Sequence, residues 1–227
     1  MTLRDKTVRG FIDQLDDLIS HHGELKLAIH NKRNESTLEN ELVCQFVLQA
    51  AVLWESFQNE LLLTYIEMTP SKALASLESR IRQSIETKFG KSSRRAIKFT
   101  RPSSPSRAVL EGLLDHRGWN LAARNADQLS STANDLLSSR FAKRFSLERR
   151  DSEFYNYVIS LRNFLSHYSV GARTELRKRI DGLSDNSNLP LKAPISVVGR
   201  YLKSDTGAGT SRAVFVVERI KDIASKL

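Results

Sequence analysis

The sequence predicts an all-α, mostly helical bundle, folded as a single domain over residues 1–227. Three observations carry that expectation. Apolar residues recur at three-to-four spacing in one long segment after another. The stretch 37–68 is apolar almost all round, so neighbours on several sides must bury it. No internal repeat, heptad array or domain boundary divides the chain. A hydrophobic content of 40% in 227 residues is enough for a real core.

Val8, Phe11, Ile12, Leu15, Leu18 and Ile19 place a first helix at 3–29, with a break or bend expected near Gly23. The polar run HNKRNE ends it. His21, His22 and His30 read as solvated surface, since two adjacent histidines cannot both face one metal from a regular helix. Ser36 with Glu39 forms a capping box for the long helix that reaches Met68. Between Asn34 and Ser71 there is no Lys or Arg, so the basic charge must sit elsewhere.

Thr69 and Pro70 open a third helix and Gly90 closes it. Next comes a basic, Ser/Pro-containing connection with Lys88, Lys91, Arg94, Arg95, Lys98, Arg101 and Arg107, a candidate contact for a phosphate backbone. A solvated excursion is the plainer reading. A short helix is expected at 106–116, and Trp119 with Asn120 reads as a buried anchor in a tight connection. Asn125 caps a helix carrying Ala126, Leu129, Ala133, Leu136 and Leu137. Arg140, Lys143, Arg144, Arg149 and Arg150 make a second basic segment.

The stretch Asp151–Val170 follows directly. Asp151 reads as its N-cap, and Phe154, Val158, Leu161 and Leu165 form its apolar stripe. Arg162, Asn163, Ser166 and His167 fall on the other side, with Arg162 and His167 roughly 140° apart. Between Glu153 and His167, Arg162 is the only charged side chain, which is unusual for a solvated helix face. The remainder reads as a basic helix from Ala172, a weak strand or turn at PISVVGRYLK, a Gly-rich turn and a closing helix with Val214, Val217, Ile220 and Ala224 on one side. Gly207-Ala208-Gly209 lacks the ending of a phosphate loop and reads as a plain turn.

A net charge of +9 favours polyanionic partners, nucleic acid above all, although a soluble basic surface carries the same charge. The single cysteine, Cys44, excludes a disulfide framework and a Cys-rich metal site and points to a reducing cytosol. The N-terminus MTLRDKTVRG has no apolar signal core, and the longest apolar run, Val43–Trp54, is too short for a bilayer. Neither secretion nor membrane insertion is expected, and the location read from this is cytoplasmic.

The run Arg162-Asn163-Phe164-Leu165-Ser166-His167, at the end of an amphipathic helix, resembles the signature of the HEPN superfamily. GWNLAARNADQL upstream and the long Trp-containing helix resemble its RiboL-PSP type, over roughly residues 37–170, with 171–227 as a C-terminal extension. The resemblance implies a helical bundle with long central helices that dimerises through the signature helix, so that two copies of Arg162 and His167 line one cleft. It also implies a metal-independent endoribonuclease, with neither cofactor nor metal, acting as a toxin or anti-phage effector. RNA is then the substrate, and a cognate antitoxin protein is a further partner the resemblance raises.

In that scheme His167 is the base, imidazole being the side chain that titrates nearest neutrality. Arg162 binds the scissile phosphate. Asn163 and Ser166 orient these groups, and Tyr168 narrows the cleft or stacks on a base. Lys91, Arg94, Arg95, Lys98, Arg101, Arg144 and Arg149 form the RNA-binding basic surface. The chain departs from the antitoxin-regulated pattern, because Ser169 stands where a modified tyrosine would fall and Tyr168 is displaced by one. Two other readings compete: a HEPN-like protein that binds without cutting, and a nucleic-acid-binding accessory protein that acts through its basic segments.

Overall fold

Thr2 opens the first helix with a reciprocal cap: its hydroxyl accepts from the Asp5 N–H, and the Asp5 carboxylate accepts from the Thr2 N–H. Helix α1 (Leu3–Ile29) then runs through Gly23 without a break. The molecule, a computed structural model, is all-α and is described for residues 2–93, 98–100, 102, 105–114, 123–183, 189–207 and 209–227.

Helix α2 (Glu35–Met68) begins at Asn34 and Glu35, not at a Ser36–Glu39 box. The Glu35 carboxylate is the reason. It accepts from the Asn31 N–H at 2.9 Å and meets His30 Nδ1 at 2.8 Å, closing the turn in which Asn31 takes a positive φ of 64°. That turn folds α2 back along α1. Thr7 meets Thr64 and Phe11 stacks on Phe57, while His22 lies on Phe46 at the other end, so the two helices are antiparallel.

Pro70 sits in the first turn of α3 (Pro70–Phe89), and Gly90, with φ 86°, ends it. The chain continues through α4 (Arg107–Leu114), α5 (Ala126–Leu136), α6 (Ser139–Ala142) with a 3-10 turn at Lys143–Phe145, and α7 (Arg149–His167). After α7 come α8 (Val170–Asp181), α9 (Val198–Lys203) and α10 (Arg212–Lys226). Helices α1, α3, α4, α7, α9 and α10 all touch α2. Trp54, Phe57, Leu61, Leu62 and Ile66 are consequently buried, and large apolar side chains each contribute about 1.5–3 kcal/mol on burial.

The weak strand or turn expected in PISVVGRYLK is instead, from Val198 to Lys203, helix α9. Val198, Tyr201 and Leu202 are buried at helical spacing, and the one strand-like feature nearby is an isolated bridge between Asp205 and Ser211. In the glycine turn the Asp205 carboxylate accepts from the Gly207 and Gly209 amides, so these N–H groups already serve an anion of the chain itself. Residues 171–227 contribute Leu176, Ile180, Tyr201, Val217, Ile220 and Ile223 to the same buried cluster as α2 and α7.

Asp151 is not the N-cap of α7. Glu148 holds that place, and Asp151 sits in the first turn, buried, with both carboxylate oxygens taken by Arg219 and by Lys226 at 2.9 Å. Its charge therefore ties α10 to the start of α7. Asp151→Ala would leave Arg219, itself 13% exposed, facing the solvent-exposed Asp222 alone. We expect a loss of about 3–5 kcal/mol in urea unfolding, the usual cost of removing one partner of a buried pair. Arg149→Ala on the exposed side of the same turn should cost under about 0.5 kcal/mol.

Candidate active site at the end of helix α7

Helix α7 presses Phe154, Tyr155, Tyr157, Val158, Leu161, Phe164 and Leu165 into the core. The apolar stripe read from the sequence is therefore present and wider than expected, because Tyr155, Tyr157 and Phe164 also find partners. The Tyr155 hydroxyl donates to Gln58 Oε1 at 2.6 Å, and the Tyr157 hydroxyl accepts from that of Tyr201 at 3.3 Å. With most of the circumference covered, the last two turns have little surface left. Arg162, Asn163, Ser166 and His167 occupy it.

Arg162 is 29% exposed and is held from α2: its Nη2 lies 3.2 Å from Oε2 of Glu55. On the same guanidinium, Nη1 donates to Asn163 Oδ1 at 3.3 Å, while the buried Nε has no hydrogen-bond partner. Burial raises the Glu55 carboxyl above its ordinary value, and the Arg162 charge and hydrogen bond pull the other way. Glu55 was not among the residues singled out from the sequence. A signal was available, since Glu55 is the only charged side chain between Leu42 and Asn59.

His167 is the last residue of α7 and is open to solvent, as is Ser166. Tyr168 then turns the chain in the left-handed region, with φ 48°, and its N–H donates to the Phe164 carbonyl at 2.8 Å. Its hydroxyl is hydrogen-bonded to the Cys44 thiol, which burial pushes up to about 11, and its ring lies 5.4 Å from that of Phe164. So Tyr168 is anchored at its tip yet remains 59% exposed beside His167. Ser169 caps α8, accepting from the Ala172 N–H at 3.2 Å. One turn on, the Arg173 guanidinium sits 5.5 Å from the Phe164 ring, adding a cation near the site that sequence reasoning passed over.

The structure brings together Arg162, Asn163 and Glu55 on one side, and His167, Tyr168 and Arg173 at the helix end. No hydrogen bond joins Arg162 to His167 among the described residues. Of the basic surface, Lys91, Lys98, Arg144 and Arg149 are exposed, and Arg94, Arg95 and Arg101 lie outside the described residues, as do Trp119 and Asn120. Arg107 is not free for phosphate: Glu60 at 2.6 Å, Glu67 at 3.2 Å and Glu111 at 2.9 Å surround it. The second basic segment is adjacent to α7 in sequence but not to its polar end. Arg149 and His167 are the first and last residues of the helix, about 27 Å apart along its axis.

Among the described residues no group of three or more His, Cys, Asp or Glu is arranged to hold a metal, and no helix is long and apolar enough to cross a membrane. The chain matches no family model, no curated protein and no solved structure.

The raised Glu55 carboxyl sets a pH dependence. Its folded form holds a proton more tightly than its unfolded form, so it contributes stability that is complete below the ordinary glutamate value. That contribution is lost as pH rises through the folded value. Urea unfolding at about pH 4, below the ordinary glutamate value, and at about pH 7.5 should show the parent losing stability with rising pH relative to Glu55→Gln, whose amide cannot titrate.

Proposed function

We propose that this chain is a HEPN-type, metal-independent endoribonuclease that cuts RNA at a site composed of Arg162 and His167 from two copies of α7. Cleavage beside a ribose needs a base for the 2′-hydroxyl and a cation for the charge that builds on phosphorus. His167 serves as the base. Arg162 holds the non-bridging oxygens, its planar fork suited to two of them at once. Asn163, bonded to Arg162, keeps the guanidinium oriented, and Ser166 lies on the same open strip. The exposed Tyr168 ring offers a surface on which a base can stack.

The observation that carries this reading is the pairing of Arg162 with Glu55. A guanidinium with no substrate needs a counter-ion, and this one is a half-buried carboxylate whose own burial is costly. A phosphate can replace it. Between substrates, Glu55 keeps Arg162 in place. Divergence of about 140° around the helix is the reason one copy is insufficient, since Arg162 and His167 of a single α7 face different directions. Val170 at 83% exposure, Tyr168, and Val52 on α2 supply apolar surface around the strip that a second copy would cover.

The exposed Lys91, Lys98, Arg144 and Arg149 would then contact phosphates distant from the cut, governing affinity more than chemistry. A role as a toxin or defence effector, with an antitoxin partner, is part of the same proposal and rests on the sequence resemblance alone.

The test uses purified protein with mixed cellular RNA in chelator. We expect cut ends carrying cyclic phosphate, and loss of cutting by at least about a hundredfold in Arg162→Ala and in His167→Ala. His167→Ala should keep the parent's unfolding midpoint, while Arg162→Ala, which leaves Glu55 unpaired, should lower it yet keep the folded helical spectrum at the assay temperature. Mixing the two inactive variants should recover a measurable part of the activity, because a mixed dimer holds one intact Arg162 opposite one intact His167. Cutting that persists in both variants would dispose of this site, and recovery that fails to appear on mixing would dispose of its composite nature.

A further inference from the structure

A second polar site lies away from α7, at the opposite end of the α1–α2 hairpin from Thr7 and Thr64. A cavity of about 300 Å³ opens where α1, the first turns of α2, α9 and the start of α10 converge. Its construction begins with one close approach. A Cβ built on Gly199 of α9 would lie 2.7 Å from the Asn40 Cβ of α2, so this crossing requires glycine. Lys203, one helical turn beyond Gly199, is thereby carried over Glu39, and Nζ meets Oε2 at 2.8 Å.

From α1, His22 and Lys26 share a helix face and line the same space. The His22 ring lies flat on Phe46, with centroids 4.2 Å apart and an interplanar angle of 18°. Its Nδ1 is shielded from solvent and has no hydrogen-bond partner. The half-buried ring beside the cavity thus has a hydrogen-bonding nitrogen that the chain leaves unsatisfied. Lys26 has no acidic partner among the described residues. The walls thus present two ammonium groups against one carboxylate, over an apolar floor of Leu42 and Val43.

A cation is excluded by Lys26 and Lys203, and a purely apolar ligand would strand every donor. We propose that this cavity binds a small phosphate monoester, with the dianionic head between Lys26 and Lys203, an oxygen beside the His22 imidazole, and the organic body on Leu42 and Val43. Burial, with Lys26 adding to it, lowers the His22 pKa, so the imidazole enters as a neutral donor that costs no counter-ion. The volume is at the small end of ligand pockets and suits a single phosphorylated sugar rather than a dinucleotide. The site shares no residue with the end of α7, and its occupancy stands apart from RNA cleavage.

Ribose 5-phosphate, inorganic phosphate and ribose are the probes, titrated by calorimetry into the full chain. We expect ribose 5-phosphate to bind most tightly, inorganic phosphate more weakly and ribose not at all. Lys26→Gln and Lys203→Gln should each weaken ribose 5-phosphate about tenfold. Glu39→Gln should tighten it, because the carboxylate that occupies Lys203 is removed. Net charge alone would give these two signs on any basic surface, so a saturable shift at His22 is the reading that separates a built site from one. In NMR the His22 imidazole signals should move on addition of ribose 5-phosphate while those of the neighbouring, solvent-facing His21 stay in place. Equal affinity in the parent and both lysine variants, or an unmoved His22, would overturn the proposal. Should a lysine variant lower the unfolding midpoint, the His22 measurement on the parent chain decides the matter without it.

Discussion

Between Leu42 and Asn59 helix α2 carries a single charged side chain, and other helices close over most of its surface, leaving Gln45, Gln49, Val52 and Ser56 as an exposed strip. Trp54 packs edge-on to Tyr155 of α7 and is stacked near Phe57, which in turn lies flat on Phe11 of α1. Burying that much aromatic surface orients α1 and α7 against opposite flanks of one rod. Once α7 is seated by Tyr155, Phe154 and Leu161, its rotation is no longer free. Arg162 must then fall toward α2 and meet Glu55, while Ser166 and His167 must face outward.

The charged contacts follow the same logic at three depths. Asp151 is buried and matched by two cations, which makes it a fastener between α7 and α10. Glu55 is half-buried and matched by one, so its charge is held at a cost that a competing anion can relieve. Arg107, ringed by Glu60, Glu67 and Glu111 near the surface, is neutralised and drops out of the basic face. A count of Lys and Arg along the chain cannot separate these cases, because availability to phosphate depends on which carboxylates the fold delivers.

Two features of α7 bear on how it can act. Its last residue is followed by Tyr168 in a backbone region that non-glycine residues seldom occupy, and the Cys44 contact and Phe164 packing hold it there. That turn sets where α8 departs, and so where Arg173 and the exposed Val170 lie relative to His167. The imidazole is consequently bordered by an aromatic ring, a cation and bare apolar surface.

The amino-acid order by itself determined the helices. The bounds of α1 and the end of α2 at Met68 coincide with the apolar spacing, and Asn125, Pro70 and Gly90 mark the ends they were expected to mark. Spacing and capping act within a few residues, so a linear reading contains all that they need. It also isolated Arg162, Asn163, Ser166 and His167 as the uncovered strip of α7. Tertiary structure alone decided what meets that strip and what meets His22, because Glu55, Phe46 and Lys203 arrive from other helices. The same holds where local reading failed. PISVVGRYLK became a helix because Gly199 let α9 settle against Asn40, and the capping box at Ser36 yielded to Glu35 because its carboxylate closed the preceding turn.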